Sequence, residues 1–163
     1  MNGENTVEML NNQAAMHAIT KIDNFKFSHH ATDNDSTAFH FTDRYSAAIF
    51  QGIMPDTGAS GISTAGENQF HALQKKDPRV VLNTKEAGVH RVKFGDNPDL
   101  VSLGTATVKT PFGSIDFHVM PANTPFLFCI KDMDRLRVFL NNVRNVLVHG
   151  GVDYPIVRKW GHP

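Results

Sequence analysis

The sequence predicts an all-β fold with one short helix near its C-terminal end. Three observations support this class. Short β-rich runs recur between turn signals, and residues 89–94 and 100–108 are the clearest pair. Gly95-Asp96-Asn97-Pro98 is a strong turn signal between those two runs. One convincing helical pattern follows, with apolar residues three and four positions apart between Ile130 and Val143.

Composition is that of an ordinary globular domain. The 163 residues are 40% hydrophobic and 20% charged, and 16 basic residues balance 16 acidic ones. This balance argues against nucleic acid or an anionic membrane as a direct partner. One cysteine, Cys129, excludes an internal disulfide and favours an intracellular, cytoplasmic setting. No run reaches the roughly 18 apolar residues that a membrane-spanning helix needs.

The chain divides into two parts of unequal length. Residues 1–37 are rich in polar residues and are expected to form an N-terminal linker or arm, disordered in part. Residues 38–163 are expected to form the folded domain. Within it, the apolar pattern from Phe39 to Met54 predicts a strand with one irregular step, and residues 66–73 predict a short helical turn.

Further strands are expected along the rest of the domain. Residues 79–83 predict a strand, and residues 89–108 predict a β-hairpin. A second hairpin is expected around Pro111-Phe112-Gly113. The apolar strand 126–130 leads into the helix, and residues 146–148 and 154–160 are late strand candidates.

Asp56-Thr57-Gly58-Ala59-Ser60 is the most informative motif of the chain. It follows an apolar run, so the sequence places a carboxylate at the end of a strand. Gly58 has no Cβ, which permits a sharp turn and a close backbone approach. Thr57 has a hydroxyl that braces the loop, while Ala59 and Ser60 leave the carboxylate uncrowded. Aspartic proteases present a catalytic carboxylate in this way.

Peptide hydrolysis by carboxylates requires two of them sharing one proton, one as base toward water and the other as acid. The sequence contains one Asp-Thr-Gly and no second Asp-Thr-Gly or Asp-Ser-Gly. Either the chain is inactive, or two copies meet so that each supplies one Asp56. A symmetric dimer places the same residue of both subunits at the two-fold axis.

The order of elements around this motif resembles the retropepsins, the homodimeric aspartic proteases of retroviruses and retrotransposons. More narrowly, it resembles the protease region of a copia-type retrotransposon polyprotein. The resemblance covers roughly residues 39–160 and rests on three features: the Asp56–Ser60 motif, the hairpin at Phe94-Gly95-Asp96, and the final strand–helix unit.

The resemblance implies a retropepsin-like closed β-barrel or sheet, homodimeric, that needs no cofactor. Asp56 would be the catalytic residue, Thr57 would lock the two active-site loops across the dimer axis, and Gly58 would offer its backbone to substrate. Phe94, Gly95, Asp96, Asn97 and Pro98 would form a flap over the bound peptide. The implied function is processing of the polyprotein that contains the domain, in the cytoplasm or inside a virus-like particle.

Two alternatives stay open at this stage. The domain is a catalytically idle module that dimerises or binds peptides, or it is a cellular retropepsin-like domain. Pro55 supports the first alternative, because the family usually has an aliphatic residue before the aspartate and proline cannot donate to a strand ladder.

Other site chemistries have little support. Nine histidines raise the question of a metal, but His71, His90, His118 and His149 are scattered without i, i+4 pairs, so no metal site is expected. The serines lack a nucleophile elbow, and Gly150-Gly151 lacks the lysine of a phosphate-binding loop.

Overall fold

A computed structural model of the chain describes residues 44–94, 98–160 and 162–163. The predicted arm at 1–37 lies outside the described residues, so the proposed division at residue 38 stays a prediction. Residues 95–97, the tip of the predicted flap, also lie outside them. Within the described residues no helix is long and apolar enough to cross a membrane.

The described part of the chain is mostly β-structure, which confirms the predicted class. Its strands are β1 Ile53–Asp56, β2 Thr64–Gly66, β3 Leu82–Asn83, β4 Arg91–Val92, β5 Leu100–Val101, β6 Gly104–Thr110, β7 Gly113–Met120, β8 Phe126–Cys129, β9 Val138–Asn141, β10 Val146–His149 and β11 Val152–Pro155. Two helices are present, α1 Glu67–Lys76 and α2 Ile130–Arg135, with a 3-10 turn at Thr84–Glu86.

The largest sheet has six strands in the order β1-β8-β2-β7-β6-β3. β1 and β8 are parallel, as are β2 and β7, whereas β6 runs antiparallel to both β7 and β3. β9, β10 and β11 form an antiparallel three-stranded sheet, and β4 pairs with β5. The predicted closed barrel is not seen among the described residues, because β1 and β3 are open edges of the large sheet.

Both predicted hairpins are present, but the first is shorter than expected, because residues 104–108 of its predicted second strand belong to β6 and pair with β7 and β3. β4 and β5 pair antiparallel, with Arg91 opposite Val101 and Val92 opposite Leu100. β6 and β7 pair over their whole length, and their turn lies at residues 111–112, where it was expected. The strands of the first hairpin have two residues each, whereas the strands of the second lie inside the large sheet.

The predicted long helix is wrong in its second half. α2 ends at Arg135, and Arg137 adopts a positive φ of 53°, which a helix does not continue through. Residues 138–141 form β9 and pair with β10 instead. Phe139 is 57% exposed and Val143 is 85% exposed, so the apolar positions that suggested a helix do not face a common core.

Three other predicted segments also differ in extent. The helical turn predicted at residues 66–73 is a ten-residue helix, α1. The strand predicted at 79–83 reduces to β3, because Val80 N–H donates to Asp77 O in the turn that follows α1. The strand predicted from Phe39 to Met54 begins only at Ile53, and its first residues, 39–43, lie outside the described range.

The late strands agree better with the prediction. β10 covers the predicted run at 146–148, and β11 covers the first part of the run at 154–160. Gly150 and Gly151 connect β10 to β11, with φ values of 57° and 78°. Two successive positive φ values are typical of a type I′ hairpin turn, so this glycine pair has a structural role.

The hydrophobic core lies against the large sheet and includes fully buried aromatic rings of β7 and β8. The rings of Phe117 and Phe126 meet edge to face with centroids 4.9 Å apart, and Phe50 contacts Phe126 at 5.4 Å. Such pairs add about 0.5–1.5 kcal/mol beyond burial alone. β8 is therefore firmly packed, and it is the strand that supports β1.

Candidate active site

Asp56 is the last residue of β1, as the sequence predicted. It stands in parallel register with Cys129, the last residue of β8, so both strands end at the same edge of the sheet. Pro55 is buried and stays in register with Phe128. Proline is tolerated in edge strands, and β1 is an edge of this sheet. The departure at Pro55 therefore does not interrupt the strand before Asp56.

The carboxylate of Asp56 organises its own loop. Its Oδ1 accepts hydrogen bonds from the backbone N–H groups of Gly58, at 2.9 Å, and Ala59, at 3.2 Å. The Ala59 N–H also approaches Asp56 O at 3.3 Å, which closes a turn. An aspartate that caps its own turn in this way is held in one orientation. Among the described residues, the hydrogen bonds to this carboxylate all reach Oδ1, which leaves Oδ2 to act on a ligand.

Gly58 avoids a tight contact beside this carboxylate. A Cβ at this position would lie 3.2 Å from Asp56 Oδ1. The far side of the loop is tied to the body of the domain, because Ile130 N–H at the start of α2 donates to Ala59 O at 2.9 Å. The loop is thus fixed at both ends, by β1 and by α2.

A buried polar network lies behind the loop. Ser63 is 1% exposed, and its hydroxyl donates to Asp132 Oδ2 at 2.7 Å and accepts from the Cys129 N–H at 3.1 Å. Asp132 also accepts from Arg135 Nε at 3.0 Å and from Cys129 Sγ at 3.5 Å. The network therefore links Ser63, three residues beyond the Asp56 loop, to Cys129, which is paired with Asp56.

The electrostatics of this network favour an ionised Asp132. Partial burial on its own would raise the pKa of this carboxyl group, but hydrogen bonds from Ser63, Arg135 and Cys129 outweigh it and hold the pKa below the ordinary value. An ionised Asp132 accepts stronger hydrogen bonds from Ser63 and Arg135 than a neutral carboxyl group would.

A second buried polar side chain holds the segment that leads into β1. Gln69 of α1 is fully buried, and its Oε1 accepts from Gln51 N–H at 2.8 Å. Its Nε2 donates to Ser46 O at 2.8 Å and to Ile49 O at 2.9 Å. These bonds satisfy backbone groups of a segment that has no ladder partner, which explains why residues 46–51 do not need to form the predicted strand.

The predicted site residues fall into two groups. Those of the Asp56 loop are brought together: Thr57, Gly58 and Ser60 are exposed, and Ala59 is half-buried beneath them. Those of the flap are only partly described: Phe94 is half-buried and Pro98 is exposed, while Gly95, Asp96 and Asn97 lie outside the described residues. The flap role of this hairpin stays a prediction.

Sequence reasoning did not find the supporting residues. Cys129 is fully buried at the end of β8 and Asp132 lies on α2, and both contact the Ser63 hydroxyl group. The spacing of Cys129 and Asp132 brings them together at the start of a helix, but their contact with Ser63 spans 66 and 69 residues of sequence. A local pattern contains no signal for contacts of that range.

No protein-family model matches this sequence, and no curated protein does. Among solved structures, the chain is similar to the retroviral protease-like domain of Ddi1 from Leishmania major. The TM-score is 0.45 and the sequence identity is 14%, over 68% of this chain and 89% of that chain. A likeness at this level carries no residue role from one chain to the other.

Proposed function

We propose that this chain is an aspartic endopeptidase whose active site forms from two copies, each of which supplies Asp56. One observation carries the proposal: the Asp56 carboxylate stands at a strand end and is held there through Oδ1 by two backbone N–H groups of its own loop. A carboxylate fixed in this manner is pre-organised to act on a water molecule.

The proposed chemistry is general acid–base catalysis with no covalent intermediate. One ionised Asp56 takes a proton from water as the water oxygen attacks the peptide carbonyl carbon. The protonated Asp56 of the other copy gives its proton to the carbonyl oxygen, which forms a tetrahedral diol. Collapse of the diol breaks the C–N bond: the leaving amine takes the proton of the protonated Asp56, and a diol hydroxyl gives its proton to the ionised Asp56 of the other copy.

A second copy is needed because one chain supplies one Asp-Thr-Gly. The exposure of Thr57 and Gly58 supports this arrangement, since residues that are to meet a partner loop must be accessible in the isolated chain. In the dimer, Thr57 would contact the opposite loop and Gly58 would present its backbone to substrate. The β4–β5 hairpin would close over the bound peptide and exclude water.

The substrate we propose is the polyprotein that contains this domain, in keeping with the resemblance to copia-type proteases. A cellular retropepsin-like domain acting on other proteins is the alternative. Cleavage of peptides that span the proposed junction around residue 38, without cleavage of denatured casein, would favour self-processing. Cleavage of casein alone would favour the cellular alternative.

The test of the catalytic residue is Asp56→Asn, with Asp134→Asn as the matched control. Asp134 is an exposed carboxylate on α2, outside the Asp56 loop. With fluorescent denatured casein and the junction peptides as substrates, Asp56→Asn should lower the rate by at least about 100-fold, because acid–base groups contribute that much or more. The control should keep full activity. Equal activity of Asp56→Asn and wild type would rule out Asp56 as the catalyst.

Two further measurements separate the peptidase from a non-catalytic binding module. A statine-type inhibitor, which imitates the tetrahedral diol, should bind wild type much more tightly than Asp56→Asn. Sedimentation under assay conditions should show a dimer. A dimer that binds peptides without cleaving them would favour the binding module, and a monomer that cleaves them would refute the two-chain site.

A further inference from the structure

Three possible metal ligands come together at the base of the β4–β5 hairpin. Glu86, His90 and His118 each offer a ligand atom, and these atoms all lie within 4.8 Å of one another. The two imidazole rings are in contact, with centroids 4.2 Å apart and planes inclined at 61°. No local sequence pattern predicts this grouping, because the two histidines are 28 positions apart along the chain and do not share a helix.

Each of the three residues is positioned by a different element. Glu86 ends the 3-10 turn that starts at Thr84, and Asn83 caps this turn by accepting from the Lys85 N–H. His90 immediately precedes β4 and is fixed through its backbone, since His90 O accepts from Ser102 N–H at 2.9 Å. His118 lies on β7, at the centre of the large sheet.

The surroundings of His118 suit a metal ligand. The residue is 7% exposed, and its Nδ1 lies 3.4 Å from the Ser102 hydroxyl oxygen. A ring whose Nδ1–H donates to Ser102 presents the lone pair of Nε2, and such a partner is usual for histidines that bind metals.

We propose that Glu86, His90 and His118 form a binding site for a divalent transition metal ion, with zinc as the best match. Two imidazoles and one carboxylate are a zinc ligand set that leaves a fourth position open to water. Tetrahedral zinc with bonds of 2.0–2.1 Å places its ligands about 3.3 Å apart, so the three atoms must move closer by up to about 1.5 Å. Glu86 is exposed and has side-chain freedom to make most of this movement.

Bound metal would join the hairpin to the large sheet. His118 belongs to β7, whereas His90 and Glu86 lie on the segment that leads into the hairpin. The same segment is held by two backbone bonds, Gly88 N–H to Ser102 O at 2.8 Å and Ser102 N–H to His90 O. The metal would stiffen this base independently of whether the Asp56 loop cleaves peptides.

The experiment uses the full chain with Co²⁺ and Zn²⁺ as probes. Titration with Co²⁺ should produce visible absorption bands of a four-coordinate site that saturate at one equivalent, and Zn²⁺ should displace it. Glu86→Gln and His90→Gln should each weaken the metal affinity at least about tenfold. Even the loss of a residue that only hydrogen-bonds to a metal ligand lowers the affinity about 10- to 100-fold. Both residues lie outside the buried core, so these variants test the site without removing His118.

His71→Gln is the matched control, because His71 is an exposed histidine beside Glu67 on α1 and should not affect the affinity. Amide hydrogen exchange gives a second readout: Zn²⁺ should slow exchange at Gly88 and Ser102 in wild type and not in Glu86→Gln. Absence of saturable binding in wild type, or affinity that Glu86→Gln and His90→Gln leave unchanged, would overturn the proposal.

Discussion

Replacement of Ser63 by alanine should destabilise the domain strongly for so small a change. The hydroxyl group donates to the ionised Asp132 and accepts from the buried Cys129 N–H. Loss of a hydrogen bond to a charged group costs about 1.5–3 kcal/mol, and a buried donor left unsatisfied costs about 1–3 kcal/mol. Because the two costs share one side chain and are not additive, we expect the free energy of unfolding to fall by about 3 kcal/mol.

Thermal unfolding followed by circular dichroism, at fixed protein concentration, measures this loss. For a chain of this length, 1 kcal/mol corresponds to about 2–4 °C, so Tm should fall by about 6–12 °C. Ser60→Ala is the matched control, since Ser60 is exposed and its replacement should change the free energy of unfolding by less than about 0.5 kcal/mol.

The destabilisation caused by Ser63→Ala should also depend on pH. The pKa of Asp132 in the folded state lies below its ordinary value of 3.8, so its contribution to stability is present above about pH 4 and disappears as the pH falls through the folded-state pKa. The difference between wild type and Ser63→Ala should therefore narrow in acid. A destabilisation no larger than that of Ser60→Ala, or one that is equally large well below pH 3, would refute this account of the network.

Three other substitutions test positions near the site. Gly66→Ala should cost about 3 kcal/mol or more on chemical denaturation, because its Cβ would lie 2.3 Å from Thr124 O, while Gly61→Ala, which meets no atom within 4 Å, should be close to neutral. Gly58→Ala should lower kcat/KM about tenfold with little change in Tm, since the added methyl crowds Asp56 Oδ1, and unchanged turnover would show that the loop tolerates it. Gln69→Met should cost about 2–3 kcal/mol by leaving buried backbone groups unpaired, and a smaller loss would show that water replaces the amide.

Local sequence signals predicted the elements whose structure depends mainly on residues close to them in the chain. Both hairpins, β8 and the position of Asp56 at a strand end follow from alternation, turn residues and an apolar run, and all are present. The turn at residues 111–112 is a clear case, because its two flanking strands pair with each other and need no third element to set their register.

The errors arise where tertiary pairing decides the outcome. Residues 138–140 lie within the helical repeat, yet they are β-branched, aromatic or aliphatic, and β10 pairs with them. Residues 46–51 were expected to be a strand, but the Gln69 side chain supplies their hydrogen bonds. Gln69 lies 18 to 23 residues along the chain from the backbone groups that it binds, beyond the reach of a local pattern.

The candidate site shows the same division. The Asp56 loop is a local motif, so its residues were predicted and the structure brings them together. Ser63 contacts Cys129 and Asp132 over 66 and 69 residues of sequence, and no local pattern predicts contacts of that range. Residues 95–97 lie outside the described range, so the flap stays a prediction based on the turn signal alone.

The parallel pairing of β1 with β8 has a consequence for how the domain is made. Asp56 reaches its final position only when Cys129 and the start of α2 are available, and Ser63 must close a loop of 66 residues to bond with Cys129. Contacts so distant in sequence form slowly, since the chain entropy of loop closure is lost before any contact compensates for it. During synthesis the Asp56 loop therefore leaves the ribosome well before the strand that supports it. A loop built in this order stays unsupported until most of the domain has emerged, so the Asp56 carboxylate reaches its final position late in synthesis.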